Sequence, residues 1–241
     1  MAANSDSHPS WRDAVVRILC SLLFLMAVVA GLPERTTAEE IDMFFAPSAS
    51  SKAVTWMFFS EDPKAKMADV WKIADGLIVC KGTPKGYIYT EQDYTNFVLK
   101  LEWRWPPGGK PGNGGVLVRM TGKNKIWPKS LEAQINVGSA GDFWGLDGYK
   151  LSGPAERTKA LEHPQFGKLI NVKKTKPVEK PAGQWNQYEI VVDGGTVTLT
   201  INGQTVNKAT ACDILPGPIV LTAEGDEIQF RNVKLTPANK N

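Results

Sequence analysis

An all-β sandwich or barrel is the fold class this sequence predicts, on three observations. Segment after segment alternates apolar and polar residues with the period of two that a strand imposes. Turn signals such as Asp75-Gly76, Asp193-Gly194-Gly195 and Asn202-Gly203 punctuate those segments. Eight Trp and 22 Gly among 241 residues lean the composition towards a turn-rich protein with aromatic surfaces. With 42% hydrophobic residues the chain can bury one globular core. A net charge of only +3, with no basic stripe, excludes an electrostatic nucleic-acid binder. No internal repeat is visible.

The first residues stand apart. Arg12 and Arg17 precede the apolar run Ile18–Leu32, followed by the small residues Thr36, Thr37 and Ala38. That order reads as a secretory signal over residues 1–38, cut after Ala38 or after Ala30. An uncleaved N-terminal anchor is the other reading, since the run is short for a membrane span. Residues 39–241 form a single domain that is exported, periplasmic or extracellular, and meets a membrane only through that segment. The domain keeps Cys80 and Cys212, which are either one disulfide or two small buried thiols. No Cys/His cluster has metal-ligand spacing, so a zinc site is not expected; no acidic loop demands a structural calcium, metal dependence is otherwise open, and no cofactor is expected.

From Met43 to Met67 the pattern is weak, with Phe58 and Phe59 as candidate core. Trp71 and Ile73, the Asp75-Gly76 turn, then Leu77 and Val79 predict a hairpin. Tyr87–Thr90 is a short strand. Phe97, Leu99, Leu101, Trp103 and Trp105 alternate with Val98, Lys100, Glu102 and Arg104 in the clearest strand of the chain. Pro106–Gly115 is a Gly/Pro loop.

The stretch Gly112–Val137 then holds two alternating segments joined by a loop with Trp127 and Pro128. In the first, Val116, Val118 and Met120 share one face and Leu117 and Arg119 the other. In the second, Leu131, Ala133, Ile135 and Val137 oppose Glu132, Gln134 and Asn136. A polar row of this kind is either a solvated face or a binding surface.

Gly138–Gln165 has no sustained period beyond a helical turn or two over Ala155–Leu161. A long loop inside a compact domain is functional or disordered, and Trp144, Asp147 and Tyr149 among glycines favour function. Lys173–Lys180 is a solvated connection. Tyr188–Val192, Val197–Ile201, Ile219–Leu221 and Ile228–Leu235 complete roughly ten to twelve strands, as a sandwich or barrel requires.

The segments Pro181–Gly195, Ile201–Val206 and Gly217–Leu235 resemble the C-terminal half of the 3-keto-disaccharide hydrolase domain. Asn113–Arg119 and Leu131–Ile135 resemble its central half, and the match runs from about Met43 to Pro237. The resemblance implies a concanavalin-like jelly roll of two curved antiparallel sheets, with a sugar site on the concave face. It also implies hydrolysis of glycosides oxidised to a ketone at carbon 3, and an exported bacterial protein. The chain departs from the family pattern in having Asn113-Gly114-Gly115 for Asn-Ser-Gly and Asn136 for an Asp. Thr222, Ala223 and Glu224 replace a Gln and an Asp-His pair.

A conventional glycosidase places two carboxylates about the bond, and the strand of Glu132 offers amides at Gln134 and Asn136 instead. A 3-keto sugar has an acidified hydrogen on carbon 2, beside the leaving oxygen on carbon 1. One base and one electrophilic stabiliser would suffice for elimination, with water adding afterwards. Glu132 is the candidate base and Arg119 the candidate stabiliser. Asn113, Gln134, Trp144, Asp147, Tyr149 and Glu224 are the candidate substrate contacts. The partner is a carbohydrate. The alternative is a non-catalytic, lectin-like sugar-binding module on the same scaffold, and a third reading is a structural or adhesive envelope domain.

Overall fold

A computed structural model describes residues 39–45 and 53–238; the signal or anchor expected over residues 1–38 lies outside them. In chain order the strands are β1 (Ile41–Asp42), β2 (Trp56–Ser60), β3 (Trp71–Ala74), β4 (Leu77–Cys80), β5 (Gly86–Thr90), β6 (Phe97–Arg104), β7 (Gly115–Thr121) and β8 (Lys129–Gln134). There follow β9 (Phe143–Leu146), β10 (Thr158–His163), β11 (Gly167–Val172), β12 (Asn186–Asp193), β13 (Thr196–Ile201), β14 (Gln204–Ala209), β15 (Val220–Ala223) and β16 (Ile228–Pro237).

They make two antiparallel sheets. One runs β14-β13-β12-β6-β16-β4-β3, with β1 added to β16; the other runs β10-β11-β9-β8-β7-β15-β5-β2. Neighbours that are distant in sequence, such as β7 beside β15, are the crossovers of a concanavalin-like jelly roll. The core lies between the sheets. Leu99, Leu101 and Trp103 of β6 face Val116, Val118, Leu131 and Ala133 of the second sheet, all fully or almost fully buried. The period-two pattern of Phe97–Trp105 was therefore read on the correct face.

Two expectations change, and one pair of open alternatives resolves. Ala155–Leu161 makes only a 3-10 turn, Ala155–Arg157, before passing into β10, because β10 pairs along its whole length with β11. Gly138–Gln165 thus contains β9 and the whole of β10 rather than an open loop. Cys80 and Cys212 are both buried free thiols. Burial pushes Cys80 up to about 12 and Cys212 up to about 11, which leaves both inert.

The second change concerns β7. Pairing with β8 is regular from Gly115 to Val118, then shifts before Thr121. Arg119 sits in that irregularity with φ 56, and the bulge rotates its side chain out of strict alternation. Met120 consequently joins Leu117 on the outward face of the sheet, whereas Arg119 is wholly buried elsewhere.

Candidate functional site

The outward face of the second sheet carries a second, smaller apolar cluster. Tyr87, Leu117, Met120, Leu146, Leu169 and Val220 form it, and Trp127, Trp144 and Phe166 pack on its margin. Glu132 lies in its midst, directly opposite Leu117 on β7 and Trp144 on β9. One row further along the strands, Gln134 faces Gly115, and Thr222 of β15 faces Tyr87 of β5.

Gly115 makes room for the acid. A Cβ at that position would stand 2.2 Å from Glu132 Oε1, so the carboxyl occupies the space a side chain would otherwise fill. Glu132 is only 4% exposed. In the amide orientation that satisfies its neighbours, Gln134 donates to Glu132 Oε1 at 2.7 Å and to Gly114 O at 3.2 Å. Thr222 Oγ1 accepts from Gly115 N at 2.7 Å, which ties β15 to the start of β7. Thr222→Val is expected to orphan that buried N–H and cost about 1–3 kcal/mol, read as a lower melting temperature.

Beside this floor opens a cavity of about 300 Å³, at the small end for a ligand pocket. Asn113, Thr222 and Glu224 line one side of it; Tyr87, Trp127 and Phe166 supply aromatic wall, and Lys85 is the one cation among the described lining residues. The rings of Trp127 and Phe166 are 4.1 Å apart. Trp127 adopts φ 56, an uncommon conformation for a bulky residue, of the kind that clusters at ligand sites. Phe166 is held by the β10–β11 turn, where Gln165 N and Phe166 N donate to His163 Nδ1 at 3.2 and 3.3 Å.

Asn113 Nδ2 donates to Glu224 Oε2 at 2.5 Å, a short contact of the charge-assisted kind. Glu224 Oε1 and Asn113 Oδ1 are buried without a partner. Burial, and then the neighbouring Glu224 charge, hold Glu132 well above the ordinary carboxylate range. Burial also raises Glu224, while the nearby polar groups of Thr222 and Trp127 and the Lys85 charge pull it back.

Glu132, Gln134, Asn113 and Glu224 are thus brought together, with Trp144 half-buried next to Glu132. Three of the expected residues are not. Arg119 donates to the carbonyls of Thr95 at 2.9 Å, Asp213 at 2.9 Å and Gly194 at 2.8 Å, and to Asn96 Oδ1 at 3.3 Å. Every direction of its guanidinium is engaged by backbone at one end of the sandwich, so it cannot stabilise an enolate over Glu132. Tyr149 is fully buried in the main core and donates its hydroxyl to Asp213 O at 2.7 Å, so no sugar reaches it. Asp147 pairs with Lys125 at 2.7 Å, fastening the loop that carries Trp127 rather than lining the cavity. Tyr87, Thr222, Lys85 and Phe166 were not singled out as site residues. Trp127 was visible only as a loop residue, and none of the five has a periodic signal to separate it from core or surface.

Residues 52–236 match the family described as the 3-keto-alpha-glucoside-1,2-lyase-like domain. The chain belongs to this family. A relative from Bacteroides thetaiotaomicron, named 3-keto-disaccharide hydrolase, is 27% identical over 160 residues, or 63% of this chain. The match spans 53% of that relative, about half its length. Among solved structures, a Parabacteroides distasonis protein provisionally described as a glycosyl hydrolase superposes with a TM-score of 0.52 at 19% identity, over 76% of this chain and 88% of its own. The Bacillus licheniformis beta-glucanase superposes with 0.52 at 11% identity, over 86% and 100%. Carbohydrate binding module CBM66 from Bacillus subtilis superposes with 0.52 at 13% identity, over 74% and 94%. At such identities the likeness to the three structures establishes the jelly-roll fold. Family and relative together make this a glycosyl hydrolase-like, carbohydrate-active domain.

Proposed function

We propose that this chain is an exported hydrolase that cleaves glycosides oxidised to a ketone at sugar carbon 3, by elimination and then hydration. The observation that carries the reading is the carboxyl pair Glu132 and Glu224, set in a largely dry floor beside an aromatic-walled cavity. Elimination next to a ketone asks for one base close to the hydrogen on carbon 2, and the ionised member of that pair supplies it. Lys85, at the cavity rim, takes over the task of holding the enolate oxygen that Arg119 cannot perform. Trp127 and Phe166 offer ring faces on which the apolar side of a sugar stacks.

The test is leaving-group release by the full chain from a 3-keto glucoside and from the matching unoxidised glucoside. Release from the keto substrate alone supports the reading. Trp127→Ala is then expected to raise KM between about twofold and tenfold, with a smaller change in kcat, because stacking of this kind contributes about 0.5–1.5 kcal/mol. The alternative is a lectin-like module, favoured by the near-complete burial of Glu132. Glycan binding by calorimetry with no release from either glucoside would select it.

A further inference from the structure

We infer that Glu224, rather than Glu132, is the group that takes the proton from the substrate, and that Glu132 is a neutral positioning residue beneath it. The inference rests on the reading just given and names the base of that same site.

Three observations carry it. The first is access. Glu224 and Asn113 are among the cavity-lining residues and Glu132 is not; its carboxyl is folded over Gly115 and only 4% exposed. A base must come within hydrogen-bond reach of the proton it removes.

The second is the state of the lone pairs. Glu224 Oε2 accepts from Asn113 Nδ2 at 2.5 Å, which fixes the carboxyl's orientation and leaves Oε1 buried with nothing bonded to it. A carboxylate oxygen left unpaired keeps its lone pairs free to accept a proton, and Glu224 belongs to the residues that line the cavity. Asn113 Oδ1 is likewise unpaired.

The third is how the pair divides its charge. Two carboxyls sharing one poorly solvated space do not both ionise readily, and the proton stays on the one whose anion is less supported. Glu224 has the Asn113 amide bonded to it, with the polar groups of Thr222 and Trp127 and the Lys85 charge beside it. Glu132 has Gln134 alone and faces the Glu224 charge. The anion therefore sits on Glu224.

The step balances with water as the only co-reactant. Glu224 takes the proton from carbon 2, and the C–H electron pair passes into the enolate of the carbon-3 ketone. The enolate expels the oxygen on carbon 1 as the bond between carbons 1 and 2 becomes double, and the leaving oxygen takes a proton from water. Hydroxide adds to carbon 1, and Glu224 returns its proton to carbon 2.

The experiment compares wild type, Glu224→Gln, Glu224→Asp and Glu132→Gln on a chromogenic 3-keto glucoside across pH. It also follows the glutamate side-chain carbons by 13C NMR on the full chain. Glu224→Gln is expected to lose about 10²–10⁴ in kcat/KM, the contribution of a positioned base, and Glu224→Asp to recover part of it. Glu132→Gln is expected to lose about tenfold and to keep the acid limb of the pH profile, since amide replaces neutral acid. At neutral pH one protonated carboxyl signal should vanish in Glu132→Gln. It should persist in Glu224→Gln and titrate at lower pH there. The reverse ranking of the two Gln variants, or loss of the protonated signal in Glu224→Gln, overturns the assignment. A wild type that releases nothing overturns the hydrolase reading instead, and the carboxyl signals still report which glutamate holds the proton.

Discussion

Arg119→Ala should lower the melting temperature by about 6–20 °C while leaving turnover per folded molecule near the wild-type value. The side chain is fully buried and bonds to Thr95, Asn96, Gly194 and Asp213. Those acceptors belong to three separate segments: the lead into β6, the β12–β13 turn, and the run between β14 and β15. Removing the guanidinium leaves the partly buried carbonyls of Thr95 and Gly194 without it and empties a fully buried position. Breaking a buried charged network of this kind costs about 3–5 kcal/mol, and each kcal/mol shifts the melting of a domain this size by about 2–4 °C. Arg119→Lys should recover little, because one ammonium cannot reproduce the fork that serves acceptors on several sides. Thermal melts with kcat/KM measured well below the transition check both halves. Intact stability with lost turnover would return Arg119 to the chemistry.

The second large effect is on the pH dependence of stability. Glu132 carries a pKa raised in the folded state, first by burial and then by the Glu224 charge. The folded protein therefore binds that proton more tightly than the unfolded chain does. The resulting stabilisation is fully present below the unfolded carboxylate pKa and is lost as pH rises through the raised folded value. Glu224, raised by burial as well, acts in the same direction. Replacing Glu132 with Gln removes the ionisation and keeps the shape. Glu132→Gln is expected to melt about 2–4 °C above wild type at pH 8, the shift produced by about 1 kcal/mol, and to converge on it towards pH 5. A variant that is less stable than wild type at every pH would mean that the anion of Glu132 is supported in the native state.

Much of the fold was legible because a strand writes itself locally. Phe97–Trp105 alternates in sequence and is buried on alternate residues in β6. Asn202-Gly203 turns β13 into β14, with φ 50 and 76 at the two positions that a tight hairpin requires. Strands such as β9 and β11 were missed because their residues follow no clean period. Gly145 of β9, for example, has a Cβ position already filled by Leu151 and the Tyr149 backbone, so a packing constraint chose it, not an alternation.

The candidate site divides along the same line. That Glu132 and Gln134 share a face follows from their spacing, because residues two apart on a strand must. The sequence also shows that Asn113 stands in a Gly-rich approach to β7 and that a family of carbohydrate-active jelly rolls was the right frame. Which side Arg119 takes emerges only on folding, since one bulged residue reverses the alternation and leaves no mark in composition. Only the tertiary structure brought Asn113 to Glu224 across 111 residues of chain, and Trp127 to Phe166 from two different loops. Such contacts depend on how sheets and loops close in space, and nothing in the local pattern of either partner encodes the other.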